Sequence, residues 1–275
     1  MPEHTSFFSY LIAMFPALGQ NMSNLGNTLQ GKPVGEHNAE HVVSSIFVVL
    51  VITLLALAAR TKILDYKNSV IPDEKLTVRT ILEIIVGAFY GMMKDMMGPE
   101  RAQKYFPIIG TSAFFILFSN VLGMIPGFLP PTSNLNVTLA CGIVICLAYN
   151  YYSIKEHGIG GYLKHLCGPV IFLAPLFLVL ELLTMWVIRP VTLGLRLMLN
   201  IAVDHLLLSI FFGLVMFIVP IPIMILGTLV TIVQVMVFCL LSSVYITLGT
   251  DHEDHGEHKG HHEAGHGHAH GEAHA

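Results

Sequence analysis

No Lys, Arg, Asp or Glu occurs between Asp204 and Asp251. A helix needs about 20 apolar residues to cross the hydrocarbon of a bilayer. This interval holds a full crossing and a turn at Pro220-Ile221-Pro222. A soluble domain cannot keep so long a stretch free of ionised groups. The whole chain agrees: 12% of its residues are charged, against roughly 25% in soluble domains, and its mean hydropathy is +0.69. The reading is an all-α, polytopic membrane protein in contact with the lipid bilayer, and nucleic acid is not an expected partner.

Further spans follow from hydropathy. Val42–Ala59 is uncharged and spans first; Phe106–Ile125 and Leu135–Ile154 span next. Between those two lies an uncharged, breaker-rich turn, Pro126 to Asn134. Thr80–Met97 carries Glu83, Lys94 and Asp95, and reads as an amphipathic helix at the interface or on the bundle. The patch Phe7 to Leu18 is too short to span and is expected at the interface. It shows no basic n-region and no A-x-A site of a signal peptide. Cys141, Cys146, Cys167 and Cys239 sit in or beside apolar runs, without ligand-like grouping, and read as small core hydrophobes.

The basic residues set an orientation. Arg60, Lys62, Lys67, Lys75, Arg79, Lys94, Arg101, Lys104, Lys155, Lys164 and Lys259 fall on one side of these spans; Lys32 alone falls on the other. The positive-inside rule puts the N-terminus outside and the C-terminus in the cytoplasm. Three parts result: an outer N-terminal segment 1–41, a membrane domain 42–250, and a His-rich tail 251–275, expected to be disordered and cytoplasmic.

The last third of the membrane domain is unlike the rest. Ile171 to Val219 contains no convincing loop. As one helix it would be about 70 Å long, more than twice the bilayer core. It must be broken or strongly tilted, with Pro190 offering a bend. Ile223–Leu248 returns. The architecture expected is about five transmembrane helices plus one amphipathic helix, the last two spans long, tilted and antiparallel.

Those two helices carry nearly all the polar groups at membrane depth. Arg196 stands out, because a guanidinium keeps its proton and costs about 2.5–3.5 kcal/mol at the bilayer centre by insertion scales. Spacings of seven and four place Arg189, Arg196 and Asn200 on one helical face, with Asp204 following and His205 beside it. Glu181 lies about two turns before Arg189. Gln234 is the strongly polar side chain in mid-return, where an antiparallel partner would bring it alongside Arg196 or Asn200. Structural roles compete: Arg189, just before Pro190, as an anchor; Glu181 as its neutraliser; Gln234 as interhelical glue; His205 as a core histidine rather than a proton relay.

The run Arg189-Pro-Val-Thr-Leu-Gly-Leu-Arg196-Leu-Met-Leu-Asn200 resembles the (R/K)P-x-S-L-x-L-R-L-x-x-N signature of the a subunit of F-type ATP synthase. Asn120-Val-Leu-Gly-Met-Ile-Pro126 through Asn136-Val-Thr-Leu, and Gln234 followed by Val244-Tyr-Ile, resemble the same family in order and spacing. The resemblance covers about residues 40–250. It implies the proton-translocating Fo stator subunit in a bacterial inner membrane. The subunit catalyses nothing by itself and holds no cofactor. Implied partners are a ring of c subunits, b-type peripheral stalk subunits and, indirectly, the F1 sector. It implies that Arg196 faces the ring, that Gln234 pairs with it, that Asn200 is the motif asparagine, and that His205 and Asn120 border an outer proton path.

Four positions depart from the family pattern. Leu199 precedes Asn200 where glycine is usual. Gly227 stands where relatives often have a histidine or an acid, and Asp204 where a small residue is common. Glu181 is one residue out of register with the family's acid relative to Arg196, about 100° on a helix. Sharing of the outer path among His205, Asp204 and Glu181 would accommodate these changes.

Nine of the fifteen histidines lie between His252 and His274. Such a tract can bind Zn, Ni or Cu, or merely be a solvated tail. It raises the alternative of a metal-ion transporter. That reading wants ligand pairs inside the spans, where no HxxxH or HxxxD occurs. An intramembrane hydrolase is less supported, with no GxSxG, HExxH or paired aspartates in a span.

Overall fold

The computed structural model describes residues 36–63, 77–125, 127–167, 174–214 and 220–250, with Phe7, Phe8 and Met14. The rest of the Phe7–Leu18 patch and the tail 251–275 lie outside the described residues. Among the described residues seven α-helices carry the fold: α1 Glu36–Ile63, α2 Val78–Met97, α3 Pro99–Gly123, α4 Leu135–Cys167, α5 Ala174–Leu183, α6 Arg189–Leu214 and α7 Pro220–Thr250. No strand occurs among the described residues. Five segments are long and apolar enough to cross a membrane: Glu40–Arg60, Pro99–Gly123, Leu135–Gly158, Pro175–Phe211 and Ile221–Thr250. The all-α membrane architecture expected from hydropathy is the one observed.

α3 lies at the centre because its apolar residues recur every three or four positions. Ala102, Tyr105, Ile109, Ala113 and Ile116 are fully buried on one stripe. α3 starts earlier than hydropathy alone suggested. Pro99 supplies the first helical position, where its missing N–H costs nothing. Lys104, which cut the apolar window short, is paired with Glu156 of α4, and the Tyr105 hydroxyl donates to the same carboxylate. α2 is the expected amphipathic helix. Phe89, Met93 and Met97 enter the core, while Glu83, Lys94 and Asp95 stay exposed. Gly98, at φ 82°, joins α2 directly to α3, a left-handed conformation that suits glycine. Gly158, at φ 69°, kinks α4 where its membrane-length portion ends.

The long segment is one piece. From Ala174 to Leu214 the helix continues without a break, through a π turn at Thr184–Ile188. At 1.5 Å per residue it is about 60 Å long, so within a 30 Å core it must lie steeply tilted. Pro190 does not interrupt it, because the π turn absorbs the proline. The Arg189 N–H bonds to the Thr184 carbonyl, five residues back, and Pro190 has no N–H. The Met185 carbonyl therefore receives neither of these usual donors. The Cys146 thiol of α4 donates to it instead, 3.1 Å away. Cys146 is buried as expected, and its S–H also closes this gap.

Two glycines let α4 and α6 touch backbone to backbone. A Cβ on Gly142 would lie 2.5 Å from the Pro190 carbonyl oxygen, and one on Gly194 would lie 2.9 Å from the Leu139 Cα. Small residues at a crossing are the usual route to close packing in membranes. α6 and α7 run antiparallel. Asn200 pairs with Gln234, while Asp204, one turn on, faces Gly227, two turns back.

Candidate functional site

Arg196 sits in mid-α6 and is exposed at the surface of the chain. It has no hydrogen bond or ion pair to any described residue. On the same side of α6 stand Leu199, Val203, Leu206 and Ile210, all exposed. α7 likewise exposes Leu229, Ile232, Val233 and Met236, on its side away from Gln234. One permanent cation thus lies bare on a broad apolar face.

Arg189 meets the opposite environment, although it is seven residues away on the same stripe. Its guanidinium lies between the rings of Tyr149 and Tyr245, at 5.4 and 4.9 Å from their centroids. Its Nη2 donates to Glu181 Oε1 at 3.4 Å. Eight residues apart in an unbroken α-helix, Glu181 and Arg189 would point roughly 80° apart. A π turn holds about one residue more than an α turn, and that brings the two side chains to one side. Helices α4 and α7 cover the Arg189 end of the stripe and leave the Arg196 end open. The same turn is tied down from α4: besides the Cys146 thiol on the Met185 carbonyl, the Tyr162 hydroxyl lies 3.5 Å from the Met185 sulfur and is itself held by Asn150 Oδ1 at 2.6 Å.

One turn beyond Arg196, Asn200 Nδ2 donates to Gln234 Oε1 at 2.6 Å, and Gln234 is buried. Of the two partners open to Gln234 in the sequence, the fold pairs it with Asn200. This leaves the guanidinium free on the exposed side.

Beyond that pair a cleft of about 60 Å³ opens among α3, α6 and α7, lined by Asn120, Gly123, Asp204, His205, Gly227 and Thr231 among others. It has room for several water molecules. Asn120 is buried and accepts a hydrogen bond from the Thr132 hydroxyl at 2.9 Å, which fastens the Pro131–Ser133 turn over the end of α3. The missing side chain at Gly227 leaves space for the Asp204 carboxylate, whose Oδ2 would lie 3.7 Å from a Cβ there. His205 reaches the other wall, with Nε2 3.5 Å from a Cβ at Gly123. The departures at Asp204 and Gly227 are therefore a matched pair in space.

Glu181 is not in this cleft. It lies two turns before Arg189, away from Arg196, bonded to Arg189, and about 35 Å along the helix from Asp204 at 1.5 Å per residue. Of the residues expected to share an outer path, Asn120, Asp204 and His205 line this one cleft, and Glu181 does not.

Comparison with known sequences decides the family. The sequence model described as ATP synthase A chain matches residues 42–247. The chain belongs to the ATP synthase A chain family. "ATP synthase subunit a" of Sorangium cellulosum is 49% identical over 256 residues, covering 93% of this chain and 100% of that protein. "ATP synthase subunit a" of Bdellovibrio bacteriovorus is 40% identical over 227 residues, covering 82% and 98%. The chain is therefore a multi-pass membrane subunit of the ATP synthase kind, with no catalysis assigned to it alone. This decides against the transporter and hydrolase readings.

Several members of this ATP synthase A chain site escaped the sequence. Tyr149 and Tyr245 flank Arg189, with Cys146 nearby; in the sequence Tyr149 is not singled out, Tyr245 enters only within a family match, and Cys146 only as a core hydrophobe. Thr231 had one: it falls four residues after Gly227 and three before Gln234, on the face those two share.

Proposed function

We propose that this chain is the proton-conducting stator subunit of the Fo sector, with Arg196 set against a carboxylate on a rotating ring of c subunits. One observation carries the reading: Arg196 is exposed at membrane depth and unpaired among the described residues. Facing lipid, it would cost a few kcal/mol with no return. Facing an acid on a neighbouring oligomer, it is compensated, and the apolar residues around it become a contact surface.

Protons enter by the cleft at Asn120, Asp204 and His205, which opens at the outer end of α6 under the positive-inside orientation. They neutralise the ring carboxylate, which then turns through lipid in its uncharged form. After nearly a full rotation it releases its proton on the inner side. Arg196 lowers the proton affinity of each carboxylate as it arrives. It also prevents a direct hop between the two sides, since it cannot itself give up a proton. Each charge crossing contributes about 2.3 kcal/mol per 100 mV, so several crossings combine for one ATP. The setting is a bacterial inner membrane, N-terminus outside, with b-type stalk subunits holding the stator against the F1 sector. The His-rich tail follows α7 on the cytoplasmic side.

Leu199 tests the facing surface. A Leu199→Cys variant is expected to form an oxidative adduct with a cysteine placed one turn from the ring carboxylate. Ile46→Cys, exposed on α1, should form none. Absence of the Leu199 adduct in assembled complexes would overturn the assignment. His205→Ala is expected to slow proton flux through the assembled complex by about a hundredfold, the lower end of what loss of a positioned proton carrier does. Unchanged flux would remove His205 from the path.

A further inference from the structure

The cleft and the Asn200–Gln234 pair are separate features, and something must join them if protons pass from one to the other. The inner end of the cleft is formed by Ile201 on α6 and Thr231 on α7, the lining residues closest along each helix to Asn200 and Gln234. Ile201 offers no polar atom. Thr231 offers a hydroxyl, and it is one turn from Gln234 and one turn from Gly227 on a single face of α7.

Of the Ser and Thr hydroxyls on α7, those of Thr231 and Ser242 bond to no described residue; Ser242 is sealed from solvent, whereas Thr231 borders the cleft. Thr228, Ser243, Thr247 and Thr250 each donate to the carbonyl four residues back, at 2.8–2.9 Å. This is the ordinary way for a helix to satisfy a hydroxyl in an apolar setting. Thr231 makes no such bond to Gly227, and no described residue pairs with it. Thr231 is nonetheless buried, and its residue borders a cavity large enough for water. The hydroxyl is not among the sealed, partnerless polar atoms, so it reaches the cavity surface, where water satisfies it.

We propose that Thr231 is the positioning residue that links the outer cleft to the ring-facing pair. Its hydroxyl holds the innermost water of the cleft within reach of Asn200, Gln234 and the carboxylate opposite Arg196. The inference rests on the cleft being the outer proton path. A proton arriving on water at Asp204 and His205 moves along hydrogen-bonded water past Thr231 and ends on the ring carboxylate. Thr231 keeps the hydrogen it began with, because it donates one and accepts one as the chain of bonds reorients.

The test uses the complete complex in inverted vesicles stripped of F1, with proton influx driven by a potassium diffusion potential and normalised to the amount of assembled chain. Thr231→Val keeps shape and removes the hydroxyl. It is expected to slow conduction about fivefold, the size of one lost neutral hydrogen bond. Thr231→Ser restores near-normal flux, and Thr228→Val, whose hydroxyl is already bonded to the Met224 carbonyl, conducts normally. In right-side-out vesicles, Thr231→Cys should react with a membrane-impermeant thiosulfonate added outside. Normal flux in Thr231→Val, an equal loss in Thr231→Ser or in Thr228→Val, or an unreactive Thr231→Cys would overturn the proposal. If Thr231→Val is normal while His205→Ala is slow, the link fails and the cleft reading stands. If both conduct normally, the cleft is not the path and the link falls with it.

Discussion

Replacing Arg196 by alanine is expected to abolish ATP synthesis and ATP-driven proton pumping, while leaving a passive proton leak through the assembled complex. At 4 Å and an effective dielectric of 20, a fixed charge favours an ionised carboxylate by about 4 kcal/mol, roughly a thousandfold in proton affinity. No single neutral hydrogen bond at the site approaches this, at about 1 kcal/mol. Without the guanidinium, the ring carboxylate keeps its proton as it passes and does not exchange it. Nothing then separates the inner and outer sides, so the leak remains. Arg196→Lys is expected to be nearly as defective, because a desolvated ammonium can lose its proton where a guanidinium cannot. The measurements are ATP-driven acidification and passive influx in the same vesicles. Normal ATP-driven pumping by Arg196→Ala would end this mechanism.

Gly142→Ala is expected to remove most of the folded chain from membranes. The added Cβ would lie 2.5 Å from the Pro190 carbonyl oxygen and 3.2 Å from the Pro190 Cα and carbonyl carbon. All three are backbone atoms of a helix, so no rotamer change relieves the contact, and α4 and α6 must part. That separation loosens the Cys146 bond to Met185 and the seating of Arg189 between Tyr149 and Tyr245. Overpacking costs about 1–3 kcal/mol where side chains can yield, and the upper end is expected here. Gly87→Ala is the control. A Cβ there meets nothing within 4 Å, and alanine favours a helix over glycine by roughly 1 kcal/mol. The thermal midpoint of the detergent-solubilised complex should fall for Gly142→Ala and hold or rise for Gly87→Ala. A Gly142→Ala complex as stable as the parent would show that the crossing is looser than described.

Much of the fold was legible because crossing a membrane is a property of each segment in its solvent. Val42–Ala59 is apolar whatever its neighbours do, and it forms the core of the first span. Boundaries moved where a charged residue found a partner. Lys104 ended a window in the sequence and sits inside α3, because Glu156 neutralises it from another helix. The long tilted segment was visible as a length too great for the bilayer. Its π turn was not, since Pro190 in sequence signals only a bend. The turn widens instead of breaking, and the Met185 carbonyl it leaves without its helical donor meets the Cys146 thiol of α4.

The site divides the same way. The sequence alone determined that a permanent cation stands at membrane depth near Asn200, Asp204 and His205, because charge and helical spacing are local quantities. Only the tertiary structure decided that Arg189 is enclosed while Arg196 is bare, that Gln234 pairs with Asn200, that Gly227 makes room for Asp204, and that Glu181 belongs with Arg189. Each of these depends on which helix covers which part of a stripe. That is set by a few close contacts, Gly142 on Pro190 and Gly194 on Leu139 among them, whose partners lie tens of residues apart and share no local pattern.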